Sequence, residues 1–308
     1  MRTMLLLLFV FARGAFAQAD AVSRSWNQPV EPFRIAGNVY YVGASEITSF
    51  LITSPAGHIL IDGGFVETAE QIERNVEKLG FRLSDVRYLV NSHAHYDHAG
   101  GLAELKRATG ARFLASAGDI PLLARGGADD PQFANRFLFP PIYADGIVRD
   151  GQRIRVGGTE LVAHITAGHT RGCTTWTTRV REQNRDLSVV FLCSATVPSS
   201  YRLIGNPQYP SVAGDYRATF AFLKSLKPDI PLAAHGNFFN LEEKIRRRGE
   251  ARSPFIDPAA YQRIVADWEK RFEDAFEAQR SKGGAVEGVA TRTSSIRDAA
   301  GGGRRRER

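Results

Sequence analysis

Three of the seven histidines in this 308-residue chain fall within six consecutive positions, in company with an acid: His93-Ala94-His95-Tyr96-Asp97-His98. The segment follows a β-rich apolar run, Val86-Arg87-Tyr88-Leu89-Val90, and precedes Gly100-Gly101 and a helical pattern through Leu102, Leu105 and Ala108. In a loop between strand and helix, the alternate residues His93 and His95 can point the same way. The turn then aims Asp97 and His98 at a second point nearby. Imidazole and carboxylate are natural ligands of zinc in an open, catalytic site. A structural zinc site would draw more on cysteine, and the chain has two.

Four residues cannot complete two metal sites, so partners are sought at other strand ends. His169, in Ala167-Gly168-His169-Thr170, follows a strand-like run ending at Ile165, and His235 follows Pro231-Leu232-Ala233-Ala234. The expected grouping is His93, His95 and His169 around one Zn2+, with Asp97, His98 and His235 around another. His58 and His164 lie inside strand-like runs and are expected to have structural roles. Two such ions lower the pKa of bound water towards ~7 and divide the attacking and leaving atoms between them. That machinery can open an amide without a serine or cysteine nucleophile, with Asp97 placed to orient the attacking water.

The surrounding pattern fits an α/β fold. Short strand-like runs at 38–42, 49–52 and 58–61 lead into Asp62-Gly63-Gly64, and a 3.6-residue period holds over Glu67–Leu79. Residues 111–115 read as the next strand. The stretch 126–141 breaks both periodicities and is an irregular excursion of the length that is commonly functional. Strand runs then return at 152–156, 160–165, 174–180, 187–192 and 231–234, and helical pattern returns at 212–226 and from Pro258 to about Ala278. Two half-chains of strands and helices suggest two sheets, each needing a covered face, as in a four-layer αββα sandwich.

The net charge of +7 is misleading as a whole. Residues 1–17 carry +2 and residues 281–308 carry +4, leaving +1 on the body, so a nucleic-acid footprint is not expected. Arg2, the greasy run from Met4 to Ala12, and Ala15-Phe16-Ala17 describe a signal peptide cut after Ala17. The expected organisation is therefore leader 1–17, one domain over 18–280 and a disordered basic tail over 281–308. Such a chain would be periplasmic or secreted, with no stable membrane insertion after cleavage, and monomeric by default. Cys173 and Cys193 flank an expected hairpin turning near Glu182-Gln183-Asn184-Arg185, which leaves open a cross-strand disulfide or two separate buried thiols.

At the His-x-His-x-Asp-His loop the chain resembles the metallo-β-lactamase superfamily, whose members hydrolyse several classes of substrate. His98, together with Leu60-Ile61-Asp62-Gly63-Gly64, Ala167-Gly168-His169-Thr170-Arg171-Gly172-Cys173-Thr174 and Gly205-Asn206-Pro207-Gln208-Tyr209-Pro210, resembles the B3 subclass. The resemblance runs from about residue 30 to residue 275. It implies the αββα sandwich, two zinc ions between the sheets, and hydrolysis of small-molecule β-lactams: penicillins, cephalosporins and carbapenems. It also implies that Ser194 helps hold water at the second site and that Thr196 contacts the substrate carboxylate. Phe65 and Phe137 are candidate apolar walls. Glyoxalase II-like thioesterases carry a bridging aspartate where this chain has Ser194, which sets them, with the lactonases, as the alternative. A zinc-binding protein without activity is a more distant one. Ala234-His235-Gly236 departs from the Pro-His-Pro or Pro-His-Gly of many relatives, which puts in question how the last ligand loop is held.

Overall fold

The computed structural model describes residues 23–298, with side chains to residue 282. The leader expected over 1–17 lies outside the described residues.

Two sheets face each other. The first has seven strands in sequence order: β1 (Phe33–Ala36), β2 (Val39–Tyr41), β3 (Phe50–Ser54), β4 (Gly57–Ile61), β5 (Val86–Val90), β6 (Arg112–Ser116) and β7 (Gly146–Val148). The pairs from β1 to β4 are antiparallel and those from β4 to β7 are parallel. The second sheet runs β12 (Ile230–Ala233), β11 (Arg185–Leu192), β10 (Thr174–Glu182), β9 (Thr159–Ile165) and β8 (Arg153–Val156). The β10–β11 hairpin turns where expected, on Gln183 and Asn184. Both have positive φ (47° and 63°), as a two-residue turn matched to strand twist requires.

Strand alternation explains the layers. Phe50, Ile52, Ile59 and Ile61 join a core with Leu161, Ala163, Trp176, Val189 and Phe191 of the other sheet; Phe50 and Phe191 meet across it with centroids 5.1 Å apart. Leu51, Leu60 and Leu89, facing the opposite way, pack with Ile72 and Val76 of α1 (Thr68–Lys78) and Leu102 and Leu105 of α3 (Leu102–Thr109). β3 and β4 are buried at almost every position because both their faces are covered. The short helices α2 (Tyr96–Ala99) and α4 (Ile120–Ala124) complete that side. On the far side, Tyr216, Phe220 and Leu223 of α5 (Val212–Ser225) pack with Tyr261, Val265 and Phe272 of the last helix, α7 (Pro258–Asp298), and Tyr261 donates to the Leu223 carbonyl at 2.6 Å. The four-layer sandwich is thus the observed fold.

β1 and the short helix α6 (Leu241–Arg246) were not foreseen from periodicity, being only four and six residues long. α7 continues past residue 280, where the tail was expected to begin, and residues 299–308 lie outside the described ones.

Candidate metal centre

The six expected ligands come from one edge of the sandwich, four from loops and Asp97 and His98 from the short helix α2. His93 to His98 follow β5, His169 follows β9, and His235 follows β12. The two sheets are laced together there: Thr174 donates its N–H to the Ser92 carbonyl (2.7 Å) and the Trp176 indole donates to the Asn91 carbonyl (3.0 Å).

Ring orientations follow from the outward hydrogen bonds. His93 Nδ1 is 3.0 Å from Ser92 Oγ, and His169 Nδ1 is 2.8 Å from the Thr196 carbonyl, so each presents Nε2 inward. His95 turns Nε2 towards Asp130 Oδ2 at 3.4 Å, which leaves Nδ1 for the cluster. Donor atoms of His93, His95 and His169 all lie within 4.8 Å of one another. The second group is tighter. Nε2 of His98 and Nε2 of His235 are 3.1 Å apart, and Asp97 Oδ2 lies 3.5 and 3.6 Å from them. Tetrahedral zinc with bonds of 2.0–2.1 Å sets its ligands about 3.3 Å apart, so this spacing fits the ion. The groups adjoin, for His93, Asp97 and His98 also fall within 4.8 Å.

Protonation suits ligation as well. Burial, then the neighbouring imidazoles, holds His93 and His169 well below the ordinary histidine range. The same causes push His98 and His235 down to about 3, so all four rings are neutral at pH 7, the form in which an imidazole can take a metal. His93 Nε2 is buried without a hydrogen-bond partner, an arrangement that is costly unless an acceptor of its lone pair is supplied. These residues fit a metal.

Carboxylates behind the ligands escaped the sequence reading. Asp62, at the end of β4 with φ +62°, accepts the Ser92 N–H at 2.6 Å and lies 3.8 Å from His98 Nδ1; burial raises its pKa to about 7. Asp119 accepts the N–H groups of Ala94 and Gly172 and the Thr170 hydroxyl, tying the His93–His98 loop to the His169 loop. Glu46 lies 3.8 Å from His235 Nδ1 and is raised to about 7 by burial, which the Asn237 N–H partly offsets. The Asp-Gly-Gly at 62–64 was the visible signal for Asp62. Asp119 and Glu46 carried none.

Ala234-His235-Gly236 needs no proline to hold it. Thr48 donates to the Ala234 carbonyl, Gly236 donates to the Glu46 carbonyl, and Ala234 donates to the Leu192 carbonyl. Gly168 has φ +140°, and a Cβ there would sit 2.8 Å from the Tyr216 ring, so glycine is required beside His169.

Ser194 Oγ is 2.8 Å from Thr196 Oγ1, while the Thr196 carbonyl orients His169 and also accepts the Tyr216 hydroxyl at 2.8 Å. Phe65 is buried against Tyr96 (5.5 Å), and Phe137, half-buried, stacks on the same ring at 4.3 Å. His58 packs edge-on to Phe81, and His164 bonds Thr177, both away from the cluster as expected. Of the two readings of the cysteines, the disulfide is the one realised: Cys173 and Cys193 are bonded, with Cα atoms 5.9 Å apart. Their sulfurs approach His93, but a disulfide has no thiolate to offer a metal.

The family model described as the metallo-beta-lactamase superfamily matches residues 42–235. The chain belongs to that superfamily. Among solved structures, the FEZ-1 metallo-β-lactamase of Legionella gormanii is 36% identical with a TM-score of 0.81, over 82% of this chain and 98% of that one. The subclass B3 metallo-β-lactamase BJP-1 of Bradyrhizobium japonicum is 36% identical with a TM-score of 0.78, over 83% and 97%. A hydroxyacylglutathione hydrolase of Rhodospirillum rubrum is 35% identical over 104 residues, 34% of this chain and 32% of that protein. The chain thus spans about a third of that curated relative and nearly all of its structural neighbours.

Proposed function

We propose that this metallo-hydrolase opens the β-lactam ring of penicillins, cephalosporins and carbapenems, using two zinc ions held by the clusters above. The observation that carries the reading is Ser194. The strand end at β11 offers a hydroxyl bonded to Thr196, where a thioesterase of the glyoxalase II type would supply a bridging carboxylate. Similarity to B3 enzymes over nearly their full length supports the same choice.

Zinc bound there would supply Lewis acidity and lower the pKa of water towards ~7. The protein's own part would be to hold five imidazoles in fixed orientations, and to offer Asp97 Oδ2 to the second ion while its other oxygen orients the attacking water. Ser194 helps hold that water. Thr196, whose hydroxyl is now taken by Ser194, would turn to donate to the carboxylate that β-lactams carry. Phe137, stacked on Tyr96, gives the substrate an apolar wall, with Phe65 behind the same ring. The disulfide suits an oxidising compartment, in keeping with an exported enzyme.

The test is turnover by purified, zinc-replete protein. A chromogenic cephalosporin and a carbapenem should be hydrolysed, and a chelator should abolish this. Asp97→Asn should lose activity and about one of two bound zinc ions. If the lactams survive while S-lactoylglutathione or an acylhomoserine lactone is consumed, the substrate assignment fails.

A further inference from the structure

The excursion at 126–141 contains one residue that does not belong with its surroundings. Asp129, Ala134, Asn135, Arg136 and Leu138 are exposed, yet Asp130 among them is 5% exposed. A buried carboxylate is costly unless its charge is matched. Its two oxygens do separate work. Oδ1 accepts the N–H groups of Gln132 (2.6 Å) and Phe133 (2.9 Å), and the backbone of Asp130 pairs with Ala134 in both directions, closing a tight turn. Oδ2 faces His95 Nε2 at 3.4 Å, an ion-pair approach rather than a formed hydrogen bond, and that nitrogen, on a ring 4% exposed, has no other polar partner among the described residues. Beside this contact, Phe133 sets its ring edge-on to His95 at 4.9 Å, and the Gln132 amide donates to the His169 carbonyl. One short turn therefore touches two of the three histidines of the first cluster.

We propose that Asp130 is a positioning residue. It holds the proton of His95 on Nε2, so that Nδ1 is the nitrogen offered to the metal, and it couples metal binding to closure of the excursion. The inference rests on the metal-binding reading of the cluster given above. A histidine ligand that donates its other N–H to a carboxylate is fixed in tautomer and orientation and becomes a stronger base. The coupling is reciprocal by linkage: if a docked turn tightens metal binding, bound metal must favour the docked turn by the same factor. A polar turn that would otherwise be loosely held thus gains an anchor in the metal centre.

The experiment compares wild type, Asp130→Asn and Asn135→Ala in the full chain. Asparagine keeps an acceptor for Gln132 and Phe133 but not the charge facing His95. Asn135 accepts the Asp129 N–H at an exposed position, so its removal loosens the turn without touching the carboxylate. Zinc affinity is read by competition with a chromogenic chelator, and protection of residues 126–141 by hydrogen exchange with and without zinc. Asp130→Asn should weaken the first-site affinity about 10–100-fold and abolish the zinc-dependent protection, while Asn135→Ala should keep that protection and lose far less affinity. Should Asp130→Asn bind zinc as wild type does, or Asn135→Ala lose as much, the proposal is overturned. A wild type that binds no zinc at all would instead overturn the metal-centre reading. Nitrogen-15 shifts of His95 in zinc-loaded wild type give an arm independent of the variants' folding: Nε2 should be protonated and Nδ1 ligated, and ligation through Nε2 overturns the proposal.

Discussion

Removing the Asp119 carboxylate should damage stability and metal binding together. Its side chain is 1% exposed and takes three donors: Ala94 N–H at 2.9 Å and Thr170 Oγ1 at 3.0 Å on Oδ2, and Gly172 N–H at 2.8 Å on Oδ1. Asp119→Ala leaves all three without a partner. At about 1–3 kcal/mol for each orphaned donor, less what local relaxation and entering water recover, the expected loss is about 3–6 kcal/mol. For a domain of this size that corresponds to a melting temperature lower by roughly 6–24 °C. Asp119→Asn is a sharper probe. Its carbonyl oxygen can still take Gly172, and the Thr170 hydroxyl can rotate to accept from the new amide. The Ala94 N–H, however, then faces another donor. One orphan remains, so the loss should be about 1–3 kcal/mol. Because Ala94 separates His93 from His95 and Thr170 follows His169, both variants should also bind zinc more weakly at the three-histidine cluster. Calorimetry of the metal-free and zinc-loaded proteins measures both effects. An Asp119→Ala protein that melts within about 3 °C of wild type, or an Asn variant that melts below the Ala variant, would refute the hydrogen-bond accounting.

The Cys173–Cys193 disulfide spans 20 residues, and a closed loop of that length is worth about 3 kcal/mol through the unfolded chain. The Cys173→Ala/Cys193→Ala double variant should melt roughly 6–12 °C lower, while zinc stoichiometry stays that of wild type; a drop in bound zinc would show the sulfurs to be ligands after all. Glu182 bridges the β10–β11 turn to the β1–β2 turn, accepting the Gly37 N–H at 2.6 Å and pairing with Arg34 at 2.7 Å. The Gly37 N–H first, then Arg34, holds its carboxyl below the ordinary range. A depressed folded pKa contributes stability above the unfolded value, near 4.3, and that contribution is lost as pH falls through the folded value. Glu182→Gln should therefore cost about 1 kcal/mol at pH 7, allowing for solvent screening. Thermal melts should show the gap closing below about pH 4, and a gap unchanged from pH 7 to pH 3 would contradict the assignment.

What could be read from the chain and what could not divide along a physical line. The candidate ligands were legible as a group because chemistry restricts them: few residue types suit a metal ion, and a strand with period two followed by a turn brings them to one edge whatever the rest of the fold does. β3, β4 and the β10–β11 hairpin were legible because apolar runs and two turn-forming residues act locally. The residues that orient the ligands left no such mark. Asp119 and Asp130 are ordinary acids in loops, and only the folded chain shows that each is buried with its donors arranged around it. Local sequence could not choose between thiol and disulfide either, since that depended on how the ends of β10 and β11 bring residues 173 and 193 together. The division has a consequence for the centre itself. His95 is a candidate ligand by its His-x-His spacing, but the carboxylate that faces its Nε2 belongs to Asp130, 35 residues later, on a turn outside the strands and helices. Two chains with the same ligand motif can therefore differ in metal affinity through a loop that never touches the ion.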